Sequence, residues 1–180
     1  MELINSNTLF CKHIITMLFL KKYVPKMLTK KDRKKYAKDL LKSRKAYKKG
    51  DYFTRPKVAS YKHRTSKHIL RARKIYGIHD VKPSHALAKK TGCSLKSLRK
   101  IVNKGIGAYF SSGSRPNQTG QSWGIARLAS AITGQKSAAV DWHIIRDGCK
   151  PTGRAYKLAL AAKKKHGYGT RRVAKRNVRV

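Results

Sequence analysis

The stretch Ser84–Val102, SHALAKKTGCSLKSLRKIV, decides the fold class. Pro83 and the hydroxyl of Ser84 open a helix, and Thr91-Gly92 ends it. Ser94 caps a second helix, Leu95–Lys104, which Gly105 closes. The two together have the layout of a helix–turn–helix. Such a pair needs a small residue late in its first helix, a glycine four positions on for the turn, and an apolar residue in its second helix that locks the crossing. Ala88, Gly92 and Leu98 occupy those places, and Leu87 and Ile101 add apolar contact. Docked in a nucleic-acid groove, the pair would present Lys96, Ser97, Arg99 and Lys100. Short α-hairpins with a glycine turn also form for purely structural reasons, so the pattern alone does not choose.

Outward from this pair, helical signals continue on both sides. Downstream, a polar, glycine-rich loop is expected over Gly105–Gly120, followed by helices over Gln121–Thr133, Lys136–Arg146 and Arg154–Lys165. Gly134, Gly148 and Gly167 are their natural stops. Upstream, Ser66–Tyr76 reads as a helix, then an extended linker, Asp51–Arg64, containing Pro56. Before it, Thr29–Lys49 reads as a cationic rod with a thin apolar stripe of Tyr36, Ala37, Leu40 and Tyr47. No segment makes a strong claim to be a strand. The expected fold is mainly α. A small helical domain occupies 66–166, preceded by a basic helix and extended arm at 27–65. A basic tail, 167–180, follows; it carries no acids and should order only on a partner.

Residues 1–26 form an N-terminal extension. Its apolar run Ile14–Leu20 is far short of the ~20 residues of a membrane span. It reads either as a short surface anchor beside Lys21 and Lys22, or as an over-long start to a chain that begins at Met17 or Met27.

Charge bounds the partner class. The 180 residues hold 45 Lys and Arg against 7 Asp and Glu, a formal charge of +38. So large an excess favours an acidic partner: nucleic acid, an anionic membrane surface or acidic protein faces. The polyanion-binding residues expected are Lys96, Arg99, Lys100 and Arg115, with Arg171, Arg172, Lys175 and Arg176 in the tail. Ser111, Ser112, Ser114 and Arg115 could also cradle a phosphate or carboxylate. The simpler reading makes that loop an ordered connector whose serines satisfy their own backbone. Tyr47, Tyr52, Phe53, Tyr61 and Tyr76 lie among Lys and Arg. That mixture suits single-strand stacking or an arm clipped onto a protein.

Catalytic chemistry finds little footing. Ser111, His143 and Asp141 can be assembled on paper, but Asp141 and His143 are two apart on an expected helix and do not share a face. Asp141 should instead pair with Arg127 or Arg146. Carboxylates are too scarce for a metal-dependent nuclease. No catalytic residue, metal ligand or cofactor is assigned. Cys11, Cys93 and Cys149 are odd in number, far apart and in no CxxC spacing. This argues against a disulfide framework or zinc knuckle, and for reduced, intracellular assembly.

Three runs carry a resemblance: GAYFSSGSRPNQTGQSWGIARLASAI at Gly107–Ile132, TRPKV at Thr54–Val58 and AVDWHI at Ala139–Ile144. Together they resemble a family of small, basic, uncharacterised proteins of large DNA viruses, the chloroviruses and their relatives, over about Met27 to Lys157. No catalytic residues are assigned to that family. The resemblance implies a virion setting. The function expected there is that of a non-enzymatic structural protein, most concretely a minor capsid protein. Its partners would be the major capsid protein and neighbouring minor proteins, with viral DNA or the anionic inner-membrane surface as further contacts. The alternative is a DNA-binding protein that condenses or reads the genome through the helix–turn–helix-like unit.

Overall fold

The computed structural model describes residues 16–62, 64–167 and 175–179. Among them are eight helices and two short strands, so the fold is mainly helical. The helices start where local chemistry says they should. Thr29 caps α1 (Lys30–Lys48), Ser66 caps α2 (Lys67–Tyr76), Ser84 caps α3 (His85–Thr91) and Ser94 caps α4 (Leu95–Ser111). In each, the hydroxyl accepts from a backbone amide two or three residues on, satisfying a donor that the helix cannot. Gly92 closes α3 at φ +76°, and a Cβ there would also lie 3.0 Å from Gly153 Cα.

Two expectations about helix extent change. The stretch Gly105–Ser111 is helical, so α4 runs on to Ser111, and the loop shrinks to the residues before α5 (Gly120–Ile132). Gly105 is no stop. It sits where α4 crosses α5, and a Cβ on it would lie 2.6 Å from Gly124 Cα. Glycine is used here for close approach rather than for chain reversal. Lys136–Arg146 divides at Asp141 into α6 (Lys136–Val140) and α7 (Trp142–Gly148), and α8 (Arg154–His166) follows.

The main core gathers α2 to α8 around Leu87, Leu98, Ile101, Leu128, Ile132 and Ile145, all essentially without solvent contact. Cys93 and Cys149 are joined by a disulfide in this core, correcting the expectation of unpaired thiols. The cysteines are 56 positions apart, so spacing gave no hint of it. Antiparallel backbone bonds bring them together, from Ser94 N–H to Gly148 O at 2.7 Å and from Lys150 N–H to Gly92 O at 2.8 Å.

A second core is built from segments the sequence separates from the body. Phe19, Val24, Leu28, Tyr36, Ala37, Leu40, Val58 and Val178 are buried together. Strand β1 (Thr16–Leu20) pairs antiparallel with β2 (Lys175–Arg179), Met17 opposite Val178 and Phe19 opposite Arg176. Residues 175–179 of the basic tail are therefore ordered within the chain itself, against the expectation of order only on a partner. The pattern KRNVR hid this because Val178 is its single apolar residue, and its burial depends on Phe19 from the other end. Met17, Phe19 and Leu20 of β1 serve this core: Phe19 is 1% exposed, while Leu18 faces outward at 55%. Among the described residues, no helix is long and apolar enough to cross a membrane.

Candidate polyanion-binding surface

The outward side of the α3–α4 pair is cationic. Lys89, Lys90, Lys96, Arg99, Lys100 and Lys104 are exposed, while Leu87, Leu98 and Ile101 hold the inner side. The sequence grouped Ser97 with the outward set; it is buried, its hydroxyl accepting from that of Ser94 at 2.9 Å beneath Gly148. Arg99 also borders a shallow cleft with Lys82, Asn103 and Gln121. Arg115 lies elsewhere, exposed on the α4–α5 connection. Lys22 and His68 are both pushed towards their neutral forms, first by burial and then by the field of Arg115. Arg127 and Lys136 add to that field at Lys22. These cations thus repel one another. In the C-terminal strand Lys175 is exposed, and Arg176 donates to Val24 O at 3.3 Å. Arg171 and Arg172 lie outside the described residues.

The scarce carboxylates are largely occupied internally. Asp141 has no solvent exposure; Arg127 grips both its oxygens at 2.7 Å and Lys104 approaches at 3.0 Å. That satisfies the expectation of an arginine partner and identifies it as Arg127. Asp32 accepts from the backbone and hydroxyl of Ser60, which hold its carboxyl below the usual range. Asp80 and Asp147 pair with Lys82 and Arg146. Asp39 is the contrary case: its Oδ2 is buried without a hydrogen-bond partner, and burial pushes its carboxyl up.

The SSGSRPN run does not form an open cradle. Ser111 and Ser112 are exposed, but Ser114 is wholly buried. Its hydroxyl accepts from Arg55 Nη2 at 2.9 Å and donates to Arg115 O at 2.7 Å. The same guanidinium donates to Ser43 Oγ at 2.8 Å, Tyr109 O at 3.0 Å and Tyr36 Oη at 3.3 Å, and lies 3.7 Å over the Tyr109 ring. Arg55 is only 5% exposed, and among the described residues no carboxylate bonds to it. Arg44 donates twice to Ser112 O, at 2.7 and 3.0 Å. Helix α4 has no basic residue in its own last turn. Arg44 and Arg55 supply from α1 and the linker the positive charge that its C-terminal carbonyls favour. Farther along, Asn117 bonds both the N–H and the C=O of Val58, and the C=O of Tyr61. TRPKV and SSGSRPN, distant in sequence, are thus one clasp. Sequence reasoning missed Arg55 because nothing local marks an arginine for burial; the one available signal was its place between an aromatic-rich stretch and Pro56.

No curated protein and no solved structure matches the chain. Residues 20–147 match a family described only as being of unknown function, DUF5824. That match takes in the last residue of β1, the clasp, the α3–α4 pair and Asp141 with both of its cations. The chain belongs to the family of unknown function DUF5824.

Proposed function

We propose that the protein is a non-enzymatic structural protein that holds polyanions on the surface of its folded body. The observation that carries this reading is the division of charge. Carboxylates are spent on Ser60, Arg127, Lys104 and other internal partners, whereas Lys89, Lys90, Lys96, Arg99, Lys100 and Arg115 face water. A surface that repels itself gains when a polyanion spreads over it and releases counterions. The setting we propose is a virion, where a minor capsid protein would bridge acidic shell neighbours, headgroups or packaged DNA. That part rests on the resemblance described above. The clasp bears on how it would work: with the linker pinned to α1 and α4, the protein would offer a preformed surface rather than loose arms.

DNA binding through the α3–α4 pair is a second reading, favoured by the outward placement of Lys96, Arg99 and Lys100 over a packed inner face. Anisotropy titration of a labelled duplex against salt tests both. The logarithm of affinity should fall linearly with the logarithm of salt, with a slope of about −0.9 per phosphate contacted. Lys96→Ala should flatten that slope by about one if it meets a phosphate, or relax preference at one base position if it meets a base. Binding no tighter than that of a charge-matched random peptide overturns the DNA reading. Release of the chain with DNA rather than shell, on gentle disruption of particles, overturns the capsid reading.

A further inference from the structure

We infer that Tyr52, with the lysines at the end of α1, is a stacking site for a base of single-stranded nucleic acid. This rests on the reading of the protein as a polyanion binder and specifies one site and one strand state for it. The tyrosines interleaved with basic residues part company in the structure. Tyr76 turns its hydroxyl into the core to Ile132 O, and Tyr61 packs on the second core. Phe53 lies beneath Lys42, whose Nζ is 4.4 Å from its ring centre. Tyr52 alone, among the described Phe, Tyr and Trp residues, stays exposed, at 70%.

It is exposed without being loose. Phe110 meets its ring edge-to-face at 5.0 Å and Tyr47 does so at 6.0 Å. The turn that carries it is tied down from Asp51 N–H to Ala46 O at 3.0 Å. Three residues on, Arg55 is fixed in the clasp. The ring is therefore braced from below and open to solvent, the arrangement a base needs for stacking with little further ordering. On the adjoining end of α1, Lys42, Lys45, Lys48 and Lys49 are exposed, and three of these line a groove with Ala46 and Asp51, the residue before Tyr52. Four cations against one carboxylate give a track for a phosphodiester backbone beside the ring. A duplex keeps its base faces stacked on one another, so it can use the lysines but not Tyr52. A single strand can use both.

The test compares three labelled probes on the full-length protein: a thymidine oligomer of about twelve nucleotides, within the usual single-strand site sizes, an abasic backbone of equal length, and a duplex. The proposal expects Tyr52→Ala to weaken binding of the thymidine strand about ten-fold, a typical stacking loss. Abasic and duplex affinities should stay within about two-fold, and Tyr52→Phe should restore the thymidine affinity. Tyr52→Ala that leaves thymidine binding unchanged, or weakens the abasic strand equally, overturns the stacking site while polyanion binding stands. Wild-type protein that binds none of the probes at low salt overturns both.

Discussion

Changing Arg55 to Met should unravel the clasp more than its single position suggests. Met fills most of the volume and keeps the contact with the Tyr109 ring, but removes four hydrogen bonds given by a charged group, at 2.8 to 3.3 Å. Each such bond contributes roughly 1.5–3 kcal/mol. The same change also relieves several kcal/mol of guanidinium desolvation, which offsets part of the loss. What stays uncompensated is the Tyr109 carbonyl at the end of α4 and the charge facing that helix terminus, about 1–3 and up to about 2 kcal/mol respectively. A net loss of about 3 kcal/mol follows, which for a chain of this length lowers the melting temperature by about 6–12 °C. Arg55→Lys should fall between the two, because an ammonium lacks the planar fork that reaches Ser43, Tyr109 and Ser114 together. Thermal melting followed by circular dichroism reads the global effect. Amide exchange at Val58, bonded to Asn117, reads the local one. A melting point for Arg55→Met within about 2 °C of wild type would refute the claim that this arginine holds the linker to the body.

Other perturbations have equally definite outcomes. Gly105→Ala, whose Cβ would meet Gly124 Cα at 2.6 Å, should cost about 1–3 kcal/mol by forcing α4 from α5, read as a lower urea midpoint. Reducing the Cys93–Cys149 bond, or Cys149→Ser, frees a loop spanning 56 positions and should cost about 4 kcal/mol at most on the chain-entropy estimate, read by urea titration with and without reductant. Carboxyl titrations followed by NMR should separate Asp39 from Asp32. The Asp39 pKa is raised by burial, so its ionised form opposes folding. That penalty fades as pH falls through the raised value, and Asp39→Asn should remove it. The Asp32 pKa is lowered by Ser60, so its contribution is full above the ordinary carboxyl range and is lost as pH falls through the depressed value. The reverse order of protonation would contradict both assignments.

Helix starts were legible because capping is local: Ser66, Ser84 and Ser94 each sit within a few residues of the amides they satisfy. The αL turn at Gly92 was legible for the same reason. Gly105 was misread because a glycine that ends a helix and one that lets two helices touch look alike until Gly124 is seen against it. Of the two readings of the serine-rich loop, the ordered connector fits the buried Ser114 better than the open cradle, but its hydroxyl looks free until Arg55 arrives from 59 positions away. The outward cations of α4 were found because helical periodicity alone separates Lys96, Arg99 and Lys100 from Leu98 and Ile101. Tyr52 could be grouped with other aromatics but not singled out, because exposure is decided by which rings the fold claims for its interior.

The β1–β2 pairing has a consequence for the order in which the chain is made. Residues 16–20 leave the ribosome long before their partners, 175–179. Throughout synthesis Phe19 and Val24 wait without Val178 to close over them, while the α2–α8 core can already condense. The second core is therefore the late step of maturation. A nascent chain stalled before residue 175 would carry an open strand edge and a bare apolar patch, the features that chaperones and unwanted self-association both recognise.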